Sequence, residues 1–156
     1  MIHFWLFLHL TGLVLLAAGV GVANLSGIMM SKTDSPQLLA MWSKVNFRSE
    51  YVATLPGALL LIVAGTVLVH KEGIDYGATW IVSAYVLWVI AVLLGGGVLG
   101  RHAHRIHHLA TQEAEQGLTV SDAARKLARS PVGPVVGNVL NLILLTFLYL
   151  MIVKPS

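Results

Sequence analysis

The chain has 156 residues, of which 56% are hydrophobic and 11% charged, with no cysteine and a formal net charge of +3. That balance departs from a soluble domain and belongs to a chain whose solvent is largely lipid. Without cysteine there is neither a disulfide framework nor a thiolate metal centre, so any metal or haem falls to nitrogen, oxygen or thioether donors.

From Phe4 to Met30 the sequence is apolar, with no side chain charged at neutral pH between His3 and Lys32. At about 1.5 Å per residue this run crosses a bilayer with some tilt to spare. It lacks a basic start and is too long for a signal sequence, so it reads as a mature span. His9, Gly12, Leu16, Gly19, Ala23 and Gly27 recur at helical spacing along one stripe, where small residues let another helix come close. His9 shares that stripe and is expected to look into the protein.

Ser31 to Glu50 is the first polar connection. Asp34 and Ser35 before Pro36 give a cap followed by proline at the first helical position. Leu38, Met41, Trp42 and Val45 then form an amphipathic stretch expected to lie on the membrane surface. The second span follows, with Pro56 near its start predicting a bend. Lys71 to Asp75 is a short polar link. The third span holds Trp80, Tyr85 and Trp88 and then Gly95, Gly96 and Gly97, a run that suggests very close packing. Its helix is expected to run on into the long connection Arg101 to Ser130, where Ser121 caps a short helix Asp122 to Arg129. Pro131 and Pro134 mark the way into the fourth span, in which Asn138 and Asn141 read as interhelical glue. The predicted helices are 3–31, 50–70, 76–101 with an extension to about 116, and 132–153. Together they define one membrane domain over 1–156, an all-α, four-transmembrane-helix up-and-down bundle.

Lys32, Lys44, Arg48, Arg101, Arg105, Arg125, Lys126 and Arg129 lie in the two longer connections, against Lys71 and Lys154 on the other side. The positive-inside bias therefore predicts cytoplasmic long connections and both termini outside. Because the basic residues are spread over connections between apolar spans, the expected partner is the lipid bilayer and not nucleic acid. Other membrane subunits or a homo-oligomer are further candidates.

The histidines sort into two sets on opposite sides. His9 is six residues, about 9 Å by helical rise, below His3. An imidazole in the apolar layer is costly unless it has a partner, which makes functional use the default reading. Neutral imidazole ligates haem iron or a transition metal, so His9 is the first candidate for a b-type haem, with His70 or Met151 as a second axial ligand. The plainer reading is an interhelical hydrogen bond, to Tyr149 for example. In the cytoplasmic RHAHRIHH segment, His104 and His108 share a helix face and His107 joins them, a spacing compatible with a metal. Alternation with Arg101 and Arg105 suits anionic lipid head groups better. No intramembrane carboxylate or lysine supports a pump, and no nucleophile elbow, phosphate loop or paired carboxylate supports a hydrolase or kinase. The chain reads as non-enzymatic, and if it is an enzyme, as an oxidoreductase.

FLHLTG at Phe7 to Gly12, LPGALLLIVAGT at Leu55 to Thr66 and YLMIVKP at Tyr149 to Pro155 resemble a bacterial family of predicted four-helix integral membrane proteins of unassigned function. That family is similar in layout to copper-resistance D-type membrane proteins and to HemJ-type protoporphyrinogen oxidases. The resemblance to the HemJ type implies a role for the first-helix histidine with haem, which carries over to His9 alone. The chain departs from that type in having no third-helix lysine and no Asn-Glu-Pro segment in the fourth helix. Three functions follow: a haem or metal protein for redox work through His9, a non-catalytic accessory subunit of a larger membrane complex, or a HemJ-like oxidase.

Overall fold

The computed structural model describes residues 1–154, and within them there is no strand. Pro155, the end of the terminal motif, lies outside the described residues. Seven α-helices follow one another: α1 Ile2–Lys32, α2 Pro36–Ser49, α3 Leu55–Lys71, α4 Thr79–Val92, α5 Arg101–Glu115, α6 Asp122–Ala128 and α7 Val132–Val153. Two π-helical turns, Glu50–Thr54 and Leu93–Gly100, fuse α2 to α3 and α4 to α5. Four apolar helices are long enough to cross a membrane: α1, the fused rod Pro36–Lys71, the fused rod Thr79–Glu115, and the stretch Asp122–Val153 that contains α6 and α7.

The fusion of α2 to α3 corrects the expected surface helix. No glycine or proline stands between Pro36 and Pro56, so nothing in that stretch breaks a helix once Ser35 has capped it. The Ser35 hydroxyl accepts the Leu38 N–H at 3.4 Å. The apolar face of α2 turns onto α5 and the end of α1. Pro56 has no N–H to give, and the π-helical turn just before it reroutes the ladder, with the Leu55 N–H going to the Glu50 carbonyl.

In the lipid-crossing part α1, α3, α4 and α7 form a ring. Its tightest seam joins α1 to α3, where Gly12 and Gly19 meet Gly57 and Thr54. A Cβ on Gly57 would stand 2.5 Å from the Leu16 nitrogen and 2.8 Å from the Gly12 carbonyl oxygen, so only glycine permits this backbone approach. Gly27 meets nothing within 4 Å, so the close packing stops short of the end of the stripe. α1 joins α7 through the Asn24 amide, which donates to Asn141 Oδ1 at 3.2 Å. Asn24 Oδ1 fits the notch at Gly137, 3.1 Å from where a Cβ would be. Asn141 is thus the glue expected of it, while Asn138 is exposed. α7 continues the ring to α4. α4 reaches α3 by long side chains: Tyr85 OH pairs with Thr66 Oγ1 at 2.8 Å, and Trp88 Nε1 donates to the Ala58 carbonyl at 3.4 Å.

Gly95, Gly96 and Gly97 do not make the close packing their sequence suggests. They lie inside the second π-helical turn; Gly96 and Gly97 have no atom within 4 Å of a would-be Cβ, and Gly95 meets only Leu140 Cδ1 at 3.8 Å.

The largest apolar cluster is outside this ring. Met30, Leu39, Ile106, Ala110, Val120 and Ala124 are buried together, with Trp42, Leu109 and Leu127 around them. The end of α1, α2, α5 and α6 therefore make a small cap over one end of the bundle. Buried Glu113 accepts from the Ser121 N–H at 3.2 Å and from its hydroxyl, and the same hydroxyl accepts the Ala124 N–H at 3.2 Å, starting α6. Arg125 and Arg129 reach Asp34 at 3.2 and 3.1 Å, tying α6 to the α1–α2 turn.

Candidate functional site

His9 is the polar side chain that the α1–α3 seam holds in place. Three residues before Gly12, it shares the face that glycine presses onto α3, and it is half-buried. Its Nδ1 lies 3.0 Å from the Leu61 carbonyl oxygen. A carbonyl can only accept, so Nδ1 carries a proton, and in the neutral imidazole Nε2 is then the nitrogen with the lone pair. Gly65, one turn beyond Leu61, leaves the space the ring occupies: a Cβ there would be 3.1 Å from Cε1 and 3.2 Å from Nδ1. Tyr85 stands at the same depth, because its hydroxyl partner Thr66 follows Gly65. The expected partner Tyr149 is exposed, and the backbone of Leu61 takes its place.

An imidazole whose Nδ1–H is fixed by a carbonyl and whose Nε2 is unprotonated is the usual form of a histidine ligand to iron or another metal. The Leu61 carbonyl and the notch at Gly65 together set the orientation of the His9 ring.

His70 is exposed at the end of α3, about 7.5 Å along the axis and about 140° round from Gly65. Met151 is half-buried on α7. Measured from the Asn24–Asn141 contact, it lies about 15 Å along α7, against about 22 Å to His9 along α1. Neither is brought level with the His9 ring. His3, by contrast, lines an open cleft of about 440 Å³ with Met1, Ile2 and Lys71.

At the other end, the histidine cluster packs against α2. The His107 ring stacks on Phe47 with centroids 5.3 Å apart. Ser43 Oγ donates to the Ala40 carbonyl at 2.8 Å and so receives the His107 Nδ1–H at 3.0 Å. His104 lies 6.0 Å from the Phe47 ring, and His108 is exposed. No group of three or more His, Asp or Glu side chains among the described residues stands where it could hold a metal ion, so His104, His107 and His108 are not gathered into one site.

Sequence reasoning missed Glu50. It stood at the predicted boundary of the second span, but the fused rod carries it inside a continuous helix, half-buried in the first π-helical turn. The absence of any helix breaker from Gln37 to Leu55 was the available signal. With Phe47, Tyr51, Gly96, Gly100, Arg101, His104 and Arg105 it lines a cleft of about 310 Å³.

Four apolar spans around a glycine-packed seam define an integral membrane protein. The chain belongs to the family described as Predicted integral membrane protein (DUF2269), which it matches over residues 4–155. No curated protein and no solved structure matches it.

Proposed function

We propose that this protein is a cofactor-carrying protein of a bacterial inner membrane, with His9 ligating a b-type haem through Nε2 for redox work. The observation that carries this reading is the 3.0 Å contact from His9 Nδ1 to the Leu61 carbonyl, which orients the ring and sets the Nδ1–H tautomer, leaving Nε2 as the free nitrogen of the neutral imidazole inside an apolar layer. Haem supplies one-electron chemistry when bound; the protein supplies the axial nitrogen and a low-dielectric wall that includes Tyr85. His70 and Met151 remain candidates for a second axial position. Eight of the ten basic residues lie on the side of the cap, which favours a cytoplasmic cap with both termini outside. The test is the reduced-minus-oxidised spectrum of the full chain purified from cells supplied with haem. A Soret band is expected, lost in His9→Ala and weakened in Gly65→Ala, whose methyl would push on the ring. A colourless wild-type protein overturns the reading.

One observation favours a second role, as an accessory subunit of a larger membrane complex. Asn138 is an exposed amide about 9 Å into α7 with no side-chain hydrogen bond among the described residues. A polar group facing hydrocarbon is stabilised by a neighbouring helix that can bond to it. Crosslinking from position 138 in intact membranes would capture that helix, and a chain crosslinking to nothing there would count against it.

A further inference from the structure

The cleft between the two π-helical turns is the second place where the fold gathers polar chemistry at the edge of an apolar span. Its wall on one side is the first turn, with Phe47 and Glu50 and the exposed Tyr51; on the other it is Gly96 and Gly100 of the second turn, followed by Arg101, His104 and Arg105. Gly100 makes the shape possible. Glu50 Oε1 sits 3.1 Å from where a Cβ on Gly100 would be, so any side chain there would press on the carboxylate.

The charges in this cleft are unusual in one respect. A carboxylate and two guanidinium groups line the same small space, yet the ion pairs among the described residues all belong to Asp34 and Asp122. Among the described residues, Glu50, Arg101 and Arg105 form no ion pair with each other and no side-chain hydrogen bond. A half-buried carboxylate is ordinarily matched by a counter-charge or hydrogen bonds, because leaving it partly desolvated and alone is costly. Groups of both signs held apart across one cleft are matched together by a ligand that itself carries both signs.

The depth of the cleft says which. The apolar run of the rod Pro36–Lys71 begins at Tyr51, and that of the rod Thr79–Glu115 ends at Gly100, so the hydropathy boundaries of two separate spans meet here. Tyr51, which lines the cleft, is 58% exposed, and Val52 beside it in the chain is 73% exposed. An exposed tyrosine at such a boundary sits at head-group level.

We propose that this cleft binds the head group of a zwitterionic aminophospholipid, with Arg101 and Arg105 on the phosphate and Glu50 on the ammonium. Arg101 and Arg105 are four residues apart on one face of α5, a spacing that lets both guanidinium groups reach one phosphate. The carboxylate discriminates among lipids. It repels a purely anionic head group, and it accepts hydrogen bonds from an N–H ammonium, which a quaternary choline cannot donate. This site is independent of His9, which lies at the opposite end of the spans.

The experiment is native mass spectrometry of the full chain, delipidated in mild detergent and titrated with phosphatidylethanolamine, phosphatidylcholine or phosphatidylglycerol of identical acyl chains. Phosphatidylethanolamine is expected to be retained about tenfold more strongly than either of the others, the discrimination of one charge-assisted hydrogen bond. The isosteric Glu50→Gln variant should keep phospholipid binding but lose the preference for the ammonium over the glycerol head group. Arg101→Gln with Arg105→Gln should lower retention of all three. Equal retention of the three lipids by the wild-type chain, or an unchanged preference in Glu50→Gln, overturns the proposal. Displacement of the lipid by an equal concentration of soluble glycerophosphoethanolamine also overturns it, by assigning the pocket to a free head group.

Discussion

The cap and the lipid-crossing ring are built from the same four chain segments, but they hold together differently. In the cap, Leu39, Ile106 and Met30 bury large side chains as a water-soluble domain does, and α2 and α6 each start on a serine hydroxyl. In the ring the closest helix contacts are made at small residues, Gly12, Gly19, Gly57 and Gly137; Leu61, Val69, Ile81, Ile143 and Leu150 are buried there too, but many large apolar side chains face outward. The difference follows from solvent. Water drives leucine into the cap, whereas lipid is as apolar as leucine and leaves close backbone approach and a few hydrogen bonds to join helices.

Three substitutions put this contrast at risk. The largest effect is expected from Leu39→Ala, because Leu39 is 1% exposed and its loss leaves a cavity in the cap; about 3 kcal/mol should disappear from stability in detergent. Thermal unfolding followed by circular dichroism measures it. A loss under about 1 kcal/mol would mean that the cap is not packed as a soluble core. Next comes Gly57→Ala, where the added methyl meets the backbone of α1. An overpacking cost of about 2 kcal/mol is expected, with a wider α1–α3 separation readable from spin labels on the two helices. If instead this variant were as stable as the wild type, the tight seam would not be what joins α1 to α3. Smallest is Asn24→Ala, which removes the bond to Asn141 and should cost about 1 kcal/mol, since interhelical hydrogen bonds in membranes are worth about 0.6–2 kcal/mol. A cost rivalling that of Leu39→Ala would reverse the ranking of the two regions.

The four spans, the Ser35 and Ser121 caps and the glycine stripe of α1 were legible because each rests on local spacing. Hydropathy over about twenty residues finds a span without knowing its neighbours. What stayed hidden depends on pairing between distant segments. Nothing local in Asn24 announces Asn141, and Leu39 looks like one apolar residue of an amphipathic stretch until α5 is laid over it. The π-helical turns were invisible for another reason, since a local change of backbone ladder leaves no trace in the hydropathy of either EYVAT or LLGGGVLG. Glu50 was misplaced by the same habit that finds spans, which treats the first charge after a polar connection as a boundary. At the candidate haem site, His9 could be read as inward-facing from its stripe, whereas the Leu61 carbonyl and the Gly65 notch that fix its tautomer and position could not.

The fused rods Pro36–Lys71 and Thr79–Glu115 leave no flexible joint between the part of the protein in water and the part in oil. Leu39 in the cap and Leu61 beside the His9 ring therefore stand on one helical rod, about 33 Å apart along its axis. Each rod has one π-helical turn along its length, and the two turns face each other across the Glu50 cleft.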